Sequence, residues 1–293
     1  MAISAEQVKR LRDRTGAGMG DCKKALEAAE GDEEKAIDVL RKSGAASAAK
    51  RGDRVAKEGV IVASVSGDKT LAVIAEVNSE TDFVARNETF VQFAQEIADC
   101  ALGANPASHE DFLMTKLANG ATISEEVGAQ TGRLGEKLEA RRFEKLAVAD
   151  GFVTSYIHPG SKLGVLVGTS GVSGDNAAQL GKDIAMQIAA MNPLAVSRDQ
   201  VDTSIAEKEI EIYKTQSLNE GKKEEFIERI AKGKLEKFYQ DNCLLEQSFI
   251  KDAGKTVTDL LKECGPNAKI TGFIRMQLGE HHHEAEAVEG AAA

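Results

Sequence analysis

Carboxylates, amides and one aromatic ring are concentrated in residues 78–87, between an alternating apolar pattern typical of a strand and a helical pattern. Asp82 and Phe83 stand side by side at this junction. An aromatic ring at the start of a helix either is a buried staple that fixes the angle at which the chain enters the helix, or inserts into a partner protein. Spacing by itself favours the staple, because most aromatic residues at strand-to-helix junctions belong to the core.

Three other groups of residues could carry chemistry, and each fails on its context. Residues 16–20 resemble a dinucleotide-binding glycine loop, but no strand precedes them. Residues 253–256 resemble the end of a P-loop, but Phe249 occupies the position of the required upstream glycine. His109 and His158 are isolated from any nucleophile and orienting acid. The sequence therefore predicts no covalent catalysis.

Metal-ligand spacing is also missing. The four cysteines, at positions 22, 100, 243 and 264, form no C-x-x-C pair, which indicates buried or free thiols in a reducing compartment. Three consecutive histidines occupy residues 281–283, but adjacent residues do not converge on one ion. We therefore predict no metal site and no cofactor.

Composition excludes several classes of function. A chain of 293 residues with 42% hydrophobic and 29% charged residues is typical of a globular protein with two or three domains. The net charge of -10 opposes non-specific nucleic-acid binding, which needs a basic surface, and opposes binding to anionic membranes. We see no signal-peptide pattern and no apolar run near the roughly 20 residues of a membrane span, so we expect a cytoplasmic protein.

The N-terminal region, residues 1–54, predicts three short helices and a linker. A capping box at Ser4 and Gln7 begins the first helix, and Gly31 ends the second. Ser43 and Gly44 are expected to stop the third helix, and residues 45–56 to form a linker. Such short helices are marginal alone and need mutual packing.

The following region, residues 55–147, predicts two strands at 59–65 and 71–77, joined by a turn and followed by a helix. Residues 106–147 are expected to be mostly helical. The sequence thus describes a strand–strand–helix unit.

A second copy of this unit follows in residues 148–280, with strands at 151–157 and 163–168 and a helix stopped by Pro193. The match indicates an internal duplication. Two charged helical runs at about 204–240 predict an inserted antiparallel helical hairpin, of the coiled-coil kind. A last strand at 270–278 precedes a tail, residues 281–293, so the fold class is α+β with antiparallel sheets.

Four motifs follow one another along the chain: residues 15–26 (TGAGMGDCKKAL), 80–87 (ETDFVARN), 233–239 (GKLEKFY) with 244–247 (LLEQ), and 270–275 (ITGFIR). Their residues and their order resemble those of the bacterial elongation factor Ts family. The match covers nearly the whole chain, to about Glu280. The tail departs from the longer helical module that the family leads us to expect.

The resemblance implies a guanine-nucleotide exchange factor for elongation factor Tu (EF-Tu), acting in translation without covalent chemistry. It implies an N-terminal three-helix bundle of the ubiquitin-associated (UBA-like) type that docks on Tu, and is compatible with a homodimer that holds two Tu molecules. It also implies that Thr81, Asp82, Phe83 and Val84 disturb the Mg²⁺ site of Tu, with Phe83 as a wedge. This favours the inserting ring over the staple. The second copy agrees, because residues 169–172 (TSGV) lack the Asp-Phe pair.

Docking of the bundle on Tu is assigned to Arg12, Met19 and Lys23. Met19 is a flexible apolar side chain in a loop, whereas the two cations are either rim charges or solvated surface residues. Val8 and Leu11 fit the core of the bundle better than a contact with Tu. Two rival classes remain at this point: a nucleic-acid module built on a basic linker, residues 50–57, and a hydrolase that uses His158.

Overall fold

The N-terminal part of the chain forms a bundle of three helices. A computed structural model describes residues 3–15, 17–51 and 53–280, so the tail of residues 281–293 with its histidines lies outside the described residues. The helices are α1 (Ala5–Thr15), α2 (Met19–Ala28) and α3 (Glu33–Lys50). Ser4 and Gln7 form the expected capping box, with hydrogen bonds of 2.9 and 3.2 Å. The side chains buried between the helices are apolar: Val8, Leu11, Ala17, Cys22, Ala25, Leu26, Ala29 and Ala36.

The predicted end of α3 is wrong, because the helix continues through Ser43 and Gly44 to Lys50. Gly44 lies where α3 crosses a later helix, α7 (Ile123–Leu134). A Cβ atom added to Gly132 of α7 would lie 2.7 Å from the Cα of Gly44. The two glycines thus allow a close backbone approach, and the packing outweighs the helix-breaking preference of glycine.

The first hairpin unit contains a strand in a region that the sequence predicts to be helical. Its elements before α7 are β1 (Glu58–Val65), β2 (Leu71–Ser79), α4 (Asp82–Ala85), α5 (Glu88–Ala104) and α6 (His109–Met114). After α7, residues expected to be helical form β3 (Leu138–Ala147), and the sheet order is β1-β2-β3. Charged side chains obscure the strand pattern; the Arg142 Nε atom lies 2.7 Å from the buried carboxylate of Glu76.

The second unit repeats this plan with an insertion. Its elements are β4 (Phe152–Ile157), β5 (Leu163–Ser170), α8 (Gly174–Met191), α9 (Thr203–Asn219), α10 (Glu224–Asn242), β6 (Ser248–Phe249), β7 (Asp252–Thr256), α11 (Val257–Cys264) and β8 (Lys269–Gln277). β4, β5 and β8 form the second antiparallel sheet. The β6–β7 pair and α11 are not anticipated by the sequence pattern.

The two hairpins have the same register. Corresponding pairs are Val60–Val77 and Val65–Ala72 in the first, and Phe152–Thr169 and Ile157–Gly164 in the second. Each unit carries a register shift at the matching place in its central strand, between Glu76 and Val77 and between Gly168 and Thr169. A bulge is a specific local device, so its recurrence supports the internal duplication.

Both faces of the first sheet are buried. Val60 and Val73 point towards α5, while Ile61 and Ile74 point towards the second sheet, as the two-residue period of a strand requires. The buried apolar side chains between the sheets are Ile61, Ala72, Ile74, Val148, Val153, Leu166 and Met276. The sheets therefore provide a rigid base for the segments that leave their ends.

Helices α9 and α10 follow each other in the chain and pack against each other. The residues buried on them are Ala206, Ser217, Ile227 and Ala231. Ile205, Ile212 and Phe226, on the same two helices, are exposed. Three of the four buried side chains, at positions 206, 217 and 231, are small.

Candidate functional site

The shared plan of the two hairpins differs most where β2 ends. The tip, as we name residues 81–84, begins with the N-cap residue Thr81, whose Oγ1 accepts a hydrogen bond from the Val84 amide at 3.4 Å. Val84 packs against the core and Ala85 is buried. The Phe83 side chain is 84% exposed. The staple interpretation is therefore wrong: Val84 and Ala85 attach the turn to the core, and Phe83 projects from it.

Asp82 lies beside Phe83 and has only a weak partner. Its carboxylate is 3.0 Å from the guanidinium of Arg86, one helical turn later, and 80% of the Arg86 side chain is exposed. Surface pairs of this kind contribute about 0–1 kcal/mol. Asp82 can therefore change partners at little energetic cost, whereas a buried, paired carboxylate could not.

The base of the tip is held by residues that sequence reasoning missed. Glu136, just after α7, accepts hydrogen bonds from the Thr81 amide at 3.0 Å and the Thr81 hydroxyl at 2.7 Å. Glu80 accepts one from the Lys137 amide at 2.6 Å and one from Arg54 at 3.2 Å. The Lys137 amide, and then Arg54, lower the pKa of Glu80. The only sequence signal was the position of Glu80 at the start of a family motif.

The proposed docking residues lie on the N-terminal bundle and not on the tip. Arg12 is exposed on α1. Met19 does not lie in a loop as expected but is the first residue of α2, and it is 51% exposed. Lys23 follows one turn later on the same face of α2, with its ammonium 3.9 Å from Glu27. Val8 and Leu11 are buried in the bundle. The structure thus presents two separate exposed groups, one on each region.

The corresponding junction of the second unit has no tip. Gly171 has a φ of +71°, and Val172 packs partly buried against the second unit's core. Thr81 and Ser173 occupy corresponding positions and are both N-cap residues. The expectation that residues 169–172 lie opposite the Asp-Phe pair is therefore wrong, because the register of the hairpins places them opposite residues 77–80. Thr81 begins a single turn of helix, whereas Ser173 begins the 18 residues of α8 directly.

Arg54 belongs to the basic linker that suggested nucleic-acid binding. Its guanidinium contacts Glu80 and its carbonyl oxygen accepts a hydrogen bond from the Lys137 ammonium at 2.9 Å. Part of the linker charge is therefore used inside the protein. His158, the centre of the hydrolase alternative, has its Nδ1 atom 2.9 Å from the Tyr156 hydroxyl.

Fold and site together define an α+β protein with two related hairpin units, whose candidate site is an exposed aromatic ring on a projecting turn. Among the described residues no cluster of His, Cys, Asp and Glu could hold a metal ion. Within the same part of the chain, no helix is long and apolar enough to cross a bilayer. An exposed aromatic ring on a projecting turn is suited to contact with another macromolecule.

Comparison with known proteins gives the family. The family model described as elongation factor TS matches residues 80–280. Elongation factor Ts of Chlorobaculum tepidum is 50% identical over 94% of this chain and 99% of its own length. The relative from Chloroherpeton thalassium is 49% identical over 95% and 99%, and one from Clostridium botulinum 46% over 97% and 95%. The chain belongs to the elongation factor Ts family and is therefore a translation elongation factor of protein biosynthesis.

Proposed function

We propose that this protein is the guanine-nucleotide exchange factor of elongation factor Tu and that it acts without covalent chemistry. Family membership supports the partner. The observation that carries the proposal is the 84% exposure of Phe83 on a turn that is otherwise anchored to the core. A folded domain in water gains nothing from displaying this ring, since burying a Phe side chain is worth about 1.5–3 kcal/mol.

Release of GDP requires only a difference in affinity. In such a GTPase, backbone amides of the P-loop and a bridging Mg²⁺ hold the nucleotide. A factor that binds nucleotide-free Tu more tightly than the GDP form weakens GDP binding by the same ratio. Each tenfold weakening needs about 1.4 kcal/mol of coupling. Burial of one exposed aromatic ring is therefore large enough to matter.

The tip supplies this difference. Phe83 enters between side chains of Tu, and its burial drives the insertion. Asp82 leaves its exposed partner Arg86 and reorganises polar contacts near Mg²⁺. Thr81 and Val84 set the turn from which both side chains project. Insertion next to the metal loosens the nucleotide without any bond being made or broken.

Replacing Phe83 with Ala tests this assignment. A central aromatic contact is worth about 2 kcal/mol or more, so stimulation of GDP release should fall about 30-fold. The measurement is release of fluorescent GDP from Tu at fixed factor concentration. Phe83→Leu, which keeps much of the apolar area, should lose less. Unchanged stimulation by Phe83→Ala would refute the wedge, and a wild-type protein that does not stimulate release would refute the function.

The N-terminal bundle provides a second contact, through Met19 with Arg12 and Lys23 at its edge. Met19→Ala should weaken binding to nucleotide-free Tu about threefold to tenfold, because an exposed flexible side chain loses part of its buried area. The matched control is Met114→Ala on α6, where the side chain is 61% exposed. Titration calorimetry with both variants decides the point: equal affinities would place docking elsewhere. Deletion of residues 1–54 is a poorer test, since it also removes Arg54 from the base of the tip.

A further inference from the structure

Two segments distant in sequence exchange hydrogen bonds beneath the tip. One segment is residues 80–81, directly after β2, and the other is residues 136–137, between α7 and β3. Each segment offers one carboxylate and at least one backbone amide to the other. We propose that Glu136 and Glu80 are positioning residues that hold the tip in the shape that binds the partner. The proposal rests on the function proposed above and names the groups that prepare the tip for it.

Glu136 controls the first residue of the tip. Its two carboxylate oxygens accept from the amide and from the hydroxyl of Thr81. Because the hydroxyl donates to Glu136, its lone pairs remain available to the Val84 amide, which it caps. Hydrogen bonds to an ionised group are shorter and stronger than neutral ones. Glu136 therefore fixes both the backbone and the capping side chain from which Phe83 projects.

Glu80 ties the same place to the linker that leads to the bundle. Its carboxylate accepts from the Lys137 amide at 2.6 Å and from Arg54 at 3.2 Å, and the Lys137 ammonium returns a bond to the Arg54 carbonyl at 2.9 Å. Three segments of chain thus meet at one point. Glu136 itself follows Gly135, whose left-handed conformation ends α7, so it is supplied by a helix that packs on both α3 and β3.

An exposed ring needs such a support more than a buried one does. A loop that is ordered only on binding loses conformational entropy at that moment and binds more weakly. A core side chain is instead fixed by its neighbours. The second unit agrees with this distinction, since Val172 occupies the position that corresponds to Glu80 and packs into the core. The pair of acids thus occurs in the unit that displays the ring, and the other unit has a valine packed against the core at the position of Glu80.

The first test measures order at the tip without any partner. The sequence contains no Trp, so Phe83→Trp introduces a single fluorescent reporter at the site. In this background Glu136→Ala should increase the amplitude of fast anisotropy decay at least twofold. Glu136→Gln keeps one carbonyl acceptor, so its amplitude should lie between those of the Phe83→Trp parent and Glu136→Ala. Unaltered decay in Glu136→Ala would overturn the proposal.

Glu125→Ala is the matched control for this measurement. Glu125 accepts a hydrogen bond from the amide of Thr122, the N-cap residue of α7, at 2.8 Å. It therefore makes the same kind of contact at the other end of a helix of 12 residues, about 18 Å away. The indole reporter should decay as in the parent when Glu125 is replaced. Equal loosening by Glu125→Ala and Glu136→Ala would show a general loss of structure and overturn the positioning role.

The second test uses release of fluorescent GDP from Tu, titrated with the factor. Glu136→Ala should raise the half-saturating concentration about tenfold, or about 1.4 kcal/mol, and leave the maximal rate within twofold, because the inserted tip is unchanged once bound. In the Phe83→Ala background the same substitution should add less than twofold, since both act through one ring. Additive effects would show that Glu136 contacts Tu itself. A wild-type protein without stimulation refutes the proposed function, while the anisotropy of the indole reporter still decides the order of the tip.

Discussion

The two strand-to-helix junctions of this protein differ although their hairpins share register and bulge. In the first unit the chain makes the single turn α4 and displays Phe83 before α5 begins. In the second it passes through Gly171 and enters α8 directly. The second junction shows that the strand–strand–helix unit closes without the extra turn. The turn is therefore an addition to the fold, and its exposed ring has to be explained by what it binds.

The two junctions also differ in packing at one pair of corresponding positions, Gly171 and Ser79. A Cβ atom added to Gly171 would lie within van der Waals overlap of the backbone carbonyl of Asn267, in the loop between α11 and β8. Ser79, at the corresponding position of the first unit, instead has a side chain that donates to the Thr81 carbonyl at 2.9 Å. At this position the second junction lies against a neighbouring loop, whereas the buried Ser79 of the first is held by a hydrogen bond to its own chain.

Exchanging the residues at these two positions should give the largest effect. Gly171→Ser forces a side chain onto a φ of +71°, at about 1–3 kcal/mol, and adds a clash with the Asn267 backbone. We expect the free energy of unfolding to fall by about 4 kcal/mol. Ser79→Gly removes one hydrogen bond and should cost about 1 kcal/mol. Urea unfolding of both variants measures the difference, and similar losses would show that the two positions do not differ as described.

The next prediction concerns Glu76, which lies at the bulge of the first central strand, where the second central strand has Gly168. The Glu76 carboxylate is fully buried and contacts Arg142 at 2.7 Å and the Gly279 amide at 3.0 Å. Glu76→Ala leaves the largely buried guanidinium of Arg142 without its carboxylate, so the free energy of unfolding should fall by about 3 kcal/mol.

Removing both charges distinguishes this cause from simple loss of packing. Replacing Glu76 and Arg142 together with Met should recover much of the stability, because an apolar pair of similar volume avoids the cost of an unpaired buried charge. Urea unfolding of the single and double variants forms a complete cycle. A double variant that is as unstable as Glu76→Ala would contradict the explanation.

The contrast between the junctions is only partly accessible from the sequence. Alternation of apolar residues in 59–65 and 151–157 predicts both hairpins, since one slip in register would turn every side chain to the wrong face. The α+β class follows, and so do the paired helices α9 and α10. Local sequence patterns show which face of a strand or helix is apolar, and the apolar face determines how these elements pack.

Features that depend on distant neighbours are missed. The pattern of β3 favours helix because Arg142 and its charged neighbours obscure the strand period, and the buried partner Glu76 is far away in sequence. The sequence pattern predicts a helix end at Gly44, because the residue that Gly44 contacts, Gly132, is far away in sequence. For Phe83, spacing favours burial, and only the family motif points outward. Glu136, which accepts hydrogen bonds from the first residue of the tip, is far away in sequence, and no pattern near the tip reveals it.

The smallest expected effect is a pH dependence of the free energy of unfolding. It arises from Glu80 at the first junction and cannot arise from Val172, its counterpart at the second. The Lys137 amide, and then Arg54, lower the pKa of Glu80 in the folded protein. The unfolded chain therefore binds the proton more tightly, with a pKa of about 4.3. The stability that Glu80 contributes is present above that value and is lost as pH falls through its lower folded pKa. In urea unfolding, the free energy of unfolding of the wild type should exceed that of Glu80→Gln at pH 7, and the difference should shrink as pH falls below about 4.3.

Arg54→Met identifies the source of this pH dependence. Since the Lys137 amide is the larger cause and remains in place, the variant should keep most of the difference between pH 7 and pH 3. Half of the Arg54 side chain is exposed, with 54% accessible to solvent, which screens its charge and makes its own contribution small. If Arg54→Met removed the whole pH dependence, the ion pair and not the backbone amide would hold Glu80, and the base of the tip would depend on the linker.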